Sequence, residues 1–256
     1  MLMKLEIWKE DSTVSSRDAD YRGQYRLSAI LEAMQKAADS HIEAAGVEIT
    51  DMLNQGMAWM LMSVDLDIRQ VPLLHEAVEI STWNRGAQGV QWRRDFNLSY
   101  DGIHKGGQVW AVARTLWTLV DLRKRRILRP SAFPYELPVH QPVTAEELPE
   151  NLLEKLAIPE SFALQLAHEW TVRYSGIDAN GHLNNAKYAD LCLDAMLREE
   201  LDCITLRGFR ITYFQEAAWG DQIRIFRTEK RDGQVFFRGE NAEEKRLFEA
   251  CLLFEG

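Results

Sequence analysis

Six of the seven prolines (Pro130, Pro134, Pro138, Pro142, Pro149 and Pro159) fall between residues 130 and 159. Proline fixes φ and removes a backbone donor, so so dense a run blocks helix and central strand repeatedly. The stretch 130–165 therefore reads as an interdomain linker. Glu146, Glu147, Glu150 and Glu154 continue it, with a short helix expected around residues 144–156. The fold must then be built from two flanks, 1–129 and 166–256. With 256 residues, 46% hydrophobic and 27% charged, the chain has enough apolar material for a core in each.

The flanks repeat one order of elements. In the first, Ile30, Leu31, Met34, Ala37, Ala38, His41 and Ile42 recur at helical spacing, and Gly46 supplies a stop. Strand-like runs follow near 57–69, 77–85, 90–100 and 107–121, with Asp101 and Gly102 as a hairpin signal. In the second, Tyr188, Leu191, Cys192, Ala195 and Met196 have helical spacing, and strands follow near 203–214, 221–229, 234–240 and 246–254. Asp232 and Gly233 mark a tight turn there. Asp20, Gly23 and Gln24 precede the first helix as Asp178, Gly181 and His182 precede the second, and Gly89, Trp92 and Arg94 are spaced like Gly233, Phe236 and Arg238. These echoes predict a tandem duplication of class α+β, a helix beside an antiparallel sheet occurring twice, in which the second copy keeps the reactive side chains. That element order suggests two hotdog domains.

Composition removes several classes of function. A net charge of −9 argues against nucleic-acid binding, which needs a basic surface. Cys192, Cys203 and Cys251 are odd in number and lack Cys-x-x-Cys spacing, which predicts reduced thiols in a cytoplasmic protein. Residues 1–11 alternate apolar and charged side chains, unlike a signal peptide, and no run approaches the ~20 apolar residues of a membrane span. His41 falls on the apolar stripe of the first helix, and His75, His104, His140 and His168 share no metal-ligand spacing. No phosphate-cradling glycine loop or Gly-x-Ser-x-Gly is present, so neither metal nor cofactor is expected.

The segment Asp178 to Asn185 gathers a carboxylate, carboxamides and an imidazole in a turn that opens a helix. An amide and an imidazole two positions apart, Asn180 and His182, can aim donors at one oxygen beside the positive end of that helix, which suits a developing oxyanion. The plainer reading is a polar turn with Asn184 as a helix cap. By the same standard Tyr188 belongs to the core, most of Trp59, Trp83, Trp92, Trp110 and Trp117 are core, and Glu216 alone is a solvated acid.

The spacing Asp178-x-Asn180-x-His182-x-Asn184-Asn185-x-x-Tyr188, followed by Tyr213-x-x-Glu216, resembles the acyl-acyl carrier protein thioesterases of plants and bacteria. The first flank is similar to that family through Val78, Glu79, Ile80, Thr82 and Trp83, then Arg93, Arg94, Asp95 and Phe96, then Trp117, Arg125 and Arg126. The resemblance implies a double hotdog that hydrolyses fatty acyl thioesters on acyl carrier protein. It implies that Asn180 and His182 hold the carbonyl oxygen, Glu216 is the general base for water, and Asp178 orients His182 or the turn. Some relatives carry a cysteine directly after the glutamate; Ala217 stands here, which excludes a covalent route at that position. On the substrate side it implies Asn184, and an acyl channel in the first flank with Trp59, Met60 and Met62 among its lining. The basic run Arg123, Lys124, Arg125, Arg126 reads as a solvated hairpin end or a docking site for the acidic carrier. A homodimer is compatible with exposed sheet edges. The rival readings are an acyl-CoA thioesterase and a non-catalytic acyl-ligand protein.

Overall fold

The structure is a computed structural model describing residues 6–140 and 155–255. Contacts divide it into a first unit within residues 1–62 and 71–153 and a second within 63–70 and 154–256.

In the first unit the antiparallel strands β1 (Trp8–Thr13), β3 (Ala77–Gln88), β4 (Gln91–Tyr100) and β5 (Val109–Asp121) lie side by side in that order, with the short β6 (Arg126–Ile127) on β5. Strand β2 (Met57–Ile68) is shared: Met57–Met62 belong to the first unit and the remainder to the second. Helix α1 (Leu27–Ala44) buries Ile30, Leu31, Met34, Ala37, Ala38 and His41 on the stripe expected from their spacing and packs against β3 and β1. Each large apolar side chain so buried contributes about 1.5–3 kcal/mol. The helix stops at Gly46, whose φ of 85° supports a Schellman closure: Val47 N–H donates to Ile42 O and Gly46 N–H to Glu43 O. Helix α2 (Ile49–Asn54) follows.

In the second unit Ser63–Asp67 of β2 pair with β8 (Thr205–Tyr213), followed by β11 (Arg246–Glu255), β10 (Gln234–Glu240), β9 (Gln222–Arg227) and β7 (Gln165–Thr171), all antiparallel. Asp232 and Gly233, with φ of 52° and 72°, make the tight β9–β10 turn expected from their sequence. The helix here is shorter than its counterpart, α4 (Lys187–Asp194), with α5 (Arg198–Asp202) after a break. Arg227 explains the break. Its guanidinium donates to Ala195 O and, through both Nη atoms, to the Glu200 carboxylate, while Glu200 accepts the N–H of extended Leu197.

One expectation changes, and two strands had no sequence signal. Asp101 and Gly102 do not form a tight hairpin: Gly102–Lys105 is a short helix, α3, and Gly106 and Gly107 make the left-handed return to β5. The sequence signals missed the outer strands β1 and β7. Within the stretch 130–165, where it is described, Phe133 is buried with Val47, Met52 and Leu119 in the first unit, and Leu156 is buried with Phe236 and Cys251 in the second. The helix expected near 144–156 falls almost wholly on residues outside the described ones. No helix among the described residues is long and apolar enough to cross a membrane.

Gly239 of β10 faces Phe248 of β11 across the ladder, and the ring fills the space a Cβ would need. Gly239→Ala should therefore destabilise the second unit by about 1–3 kcal/mol through overpacking, measured by urea unfolding. An unchanged midpoint would place the ring elsewhere.

Candidate active site

The turn 178–182 is built on one carboxylate. Asp178 Oδ1 accepts the N–H groups of Asn180 (2.8 Å) and His182 (3.3 Å), the Asp178 N–H donates to His182 O, and Gly181 N–H returns to Asp178 O. Gly181 has a φ of 83°, the left-handed region where a glycine is least strained. Asp178 thus braces the turn, and its recorded bonds go to backbone, not to the imidazole.

Glu216 is set opposite by Ala217. That residue is fully buried; its carbonyl accepts Leu183 N–H at 2.8 Å, and its backbone meets the Tyr188 hydroxyl. Tyr188 is itself core, packed edge-on against Tyr213 and Phe248, and burial pushes its phenol well above the ordinary range. Tyr213 donates to Asn185 O at 2.9 Å. These contacts bring His182 Nε2 to 3.3 Å from Glu216 Oε2, with the two side chains 37% and 46% exposed. Glu216, implied by the resemblance as the general base, is thus half open to solvent.

Asn180 presents an exposed side chain. Asn184 acts locally: its Oδ1 accepts Ala186 N–H at 2.8 Å and its carbonyl accepts Lys187 N–H, leading into α4. Burial raises the thiols of Cys192 and Cys251, the latter to about 12, which leaves both un-ionised near neutrality and unsuited to nucleophilic attack.

The first unit repeats this frame bond for bond. Asp20 Oδ1 accepts Arg22 and Gln24 N–H, Asp20 N–H donates to Gln24 O, and Gly23 turns with a φ of 73°. Tyr25 N–H donates to Pro72 O as Leu183 N–H does to Ala217 O, so Val71 stands where Glu216 stands. The first copy therefore has Arg22, Gln24 and Val71 in place of Asn180, His182 and Glu216. The valine was not legible before the register was known.

A cleft of the first unit, open to solvent, is lined by Ile42, Trp59, Trp92 and Trp117 together with Asp39 and Arg94. Arg94 is nearly buried, donates to His41 Nδ1 and Thr82 Oγ1, and is lowered to about 10 by burial against the pull of Asp39. Burial raises Asp39 to about 6 although Arg94 opposes the shift. His41, on the apolar stripe of α1, is buried and accepts from Arg94, whereas the charged pair of Asp39 and Arg94 had no signal in the sequence. Of the three expected channel residues only Trp59 lines the cleft; strand alternation turns Met60 and Met62 to the other face of β2. Arg123, Lys124 and Arg125 lie in the turn between β5 and β6 and Arg126 opens β6, all four exposed, and Arg123 Nη2 donates to Asn54 O.

Two family profiles match the chain: the acyl-ACP thioesterase N-terminal domain over residues 6–131 and the acyl-ACP thioesterase C-terminal domain over residues 160–247. A chloroplastic acyl-acyl-carrier-protein hydrolase of Cuphea viscosissima is 20% identical over 219 residues, 82% of this chain and 52% of its own length. The chain thus spans about half the length of that curated relative. Two solved structures share the double-hotdog fold: an acyl-ACP thioesterase from Bacteroides thetaiotaomicron (TM-score 0.81, 19% identity, 98% of each chain) and the 12:0-ACP thioesterase from Umbellularia californica (TM-score 0.79, 17% identity, 99% of this chain and 98% of that one).

If Asp178 acts by accepting two backbone N–H groups, an amide oxygen serves nearly as well as a carboxylate. Asp178→Asn should keep at least about a tenth of the activity, and Asp178→Ala should lose far more, since both N–H groups that the carboxylate braces, one exposed and one part-buried, lose their acceptor and the turn loses its geometry. Equal losses in steady-state assays would show that the charge itself is required.

Proposed function

Because the chain belongs to the acyl-ACP thioesterase family, we propose that it hydrolyses the thioester joining a fatty acyl chain to acyl carrier protein. The observation that carries this reading is the His182 Nε2 to Glu216 Oε2 approach of 3.3 Å across the braced turn. Water placed beside Glu216 gives a proton to the carboxylate as its oxygen bonds to the thioester carbon. The carbonyl electron pair moves onto oxygen, where the Asn180 carboxamide and the His182 N–H donate to it. The oxyanion then re-forms the carbonyl, the C–S bond breaks, and the departing sulfur takes the proton held by Glu216. The products are a free fatty acid and the carrier thiol. No cofactor is consumed in these steps.

The acyl chain is assigned to the first unit, along the aromatic wall that Trp59 contributes. Lys124, Arg125 and Arg126 are assigned to the docking of the acidic carrier, a role in which a local basic turn offsets the −9 charge of the whole chain.

Glu216→Gln and His182→Ala should each lower kcat on acyl-ACP by about 10²- to 10⁴-fold. Both side chains are partly exposed, so thermal melting should move little, and near-normal turnover by folded Glu216→Gln would overturn the general-base assignment. Reversing Lys124, Arg125 and Arg126 to Glu should raise KM for acyl-ACP at low salt, with the effect shrinking as salt screens it. An unchanged KM would remove docking from this turn.

A further inference from the structure

The duplicated frame carries its own control, because it shows what accompanies the reactive groups in one copy and not in the other. Val172 N–H donates to Asp221 O and Gly220 N–H to Val172 O, as Val14 N–H donates to Glu76 O and His75 N–H to Val14 O. Ala218 N–H donates to the Asp221 carboxylate as Leu73 N–H does to that of Glu76. In this register Tyr174 stands where Ser16 stands, and Trp219 where Leu74 stands. The copy that holds His182 and Glu216 thus has two large aromatics where the other has a hydroxyl and an aliphatic side chain.

Those aromatics are not core. Tyr174 is 79% exposed and Trp219 59%, and their rings meet edge to face at 6.0 Å. Their backbones are tied into the reactive corner. Tyr174 opens the 3-10 turn Tyr174–Gly176 that leads into Asp178, and Trp219 lies in the turn closed by Ala218 and Asp221, directly after the residue that bridges His182. Rings held in contact in water, on backbone segments tied to the reactive pair and without counterparts at the corresponding positions of the other copy, are poised to be covered by what reacts there.

We infer that Tyr174 and Trp219 form a platform for the pantetheine arm of the carrier-bound thioester, holding the substrate from the sulfur side. The inference rests on the thioesterase reading of the His182–Glu216 pair. The arm fits the chemistry of the platform: it alternates planar amides with short apolar stretches, and each ring offers an apolar face with one polar group, a phenol hydroxyl or an indole N–H. The two rings are positioning residues; they take no part in proton transfer.

The test uses the full-length protein and two readouts. Affinity for S-dodecyl-pantetheine, a thioether that cannot be hydrolysed, is measured by calorimetry, and steady-state kinetics are run with acyl-ACP, acyl-CoA and acyl-N-acetylcysteamine, which lacks most of the arm. Tyr174→Ala and Trp219→Ala should each weaken thioether binding about tenfold, the scale of one aromatic contact. They should raise KM for acyl-ACP by a similar factor while kcat changes less, and Trp219→Phe should restore most of the loss. The defect should shrink to under about twofold on acyl-N-acetylcysteamine. Tyr21→Ala, an exposed aromatic in the silent copy, serves as the control. A larger defect on acyl-CoA than on acyl-ACP would overturn the assignment to the carrier-borne arm. Unchanged thioether affinity, no binding by the wild type, or an equal loss on the truncated thioester would overturn the platform. So would conversion of a dimer to a monomer by the double substitution in light scattering, which would make the rings a contact between copies. Binding of the thioether without turnover of any thioester would leave the platform standing and overturn the thioesterase reading instead.

Discussion

One carboxylate oxygen organises the reactive corner. Asp178 Oδ1 accepts two backbone N–H groups from a turn that presents an exposed Asn180 and a half-exposed His182, side chains with little burial to hold them. Ordering each backbone residue costs about 1–2 kcal/mol, and a polar turn has few hydrophobic contacts to offset that cost. Hydrogen bonds to a charged acceptor contribute about 1.5–3 kcal/mol each, so two of them are of the right size. Ala217 completes the arrangement by fixing the facing segment to both Leu183 and Tyr188. The 3.3 Å approach of His182 to Glu216 follows from these backbone bonds and does not itself hold the corner together.

The duplication separates frame from chemistry. The same bonds recur around Asp20, so Asp20 and Asp178 belong to the architecture. The reactive groups do not recur: Arg22, Gln24 and Val71 occupy their places. A carboxylate present in both copies is explained by the turn it braces, whereas one present in a single copy, Glu216, needs another explanation. That contrast is a physical reason to assign Glu216 and His182, rather than Asp178, to the reaction.

What was legible in the sequence was local. The α1 stripe, its stop at Gly46 and the Asp232–Gly233 turn each depend on residues close together in the chain, and all appear as expected. The break between α4 and α5 was hidden because it depends on Arg227, about thirty residues downstream in β9. Strands β1 and β7 were missed because both are short, largely exposed and lack a long apolar run. Met60 and Met62, implied with Trp59 by the resemblance, lie on the other face of β2 from Trp59 because a strand sends neighbours to opposite faces. For the site, the motif located the turn and its partner glutamate. It could not distinguish a carboxylate that braces a turn from one that orients an imidazole, since both need the same residue at the same spacing.

The exposure of the reactive pair bears on how such a corner gains its power. Water around a half-exposed glutamate and histidine screens their interaction with each other and with any charge developing nearby. Donors aimed at an oxyanion contribute most where water is excluded. Nothing in the turn itself excludes it; on the proposed function the bound substrate supplies the covering, its acyl chain on one side of the carbonyl and its arm on the other. On that proposal an open corner reaches its full electrostatic effect only once a substrate covers it from both sides, and the exposed rings of Tyr174 and Trp219 are where the second covering begins.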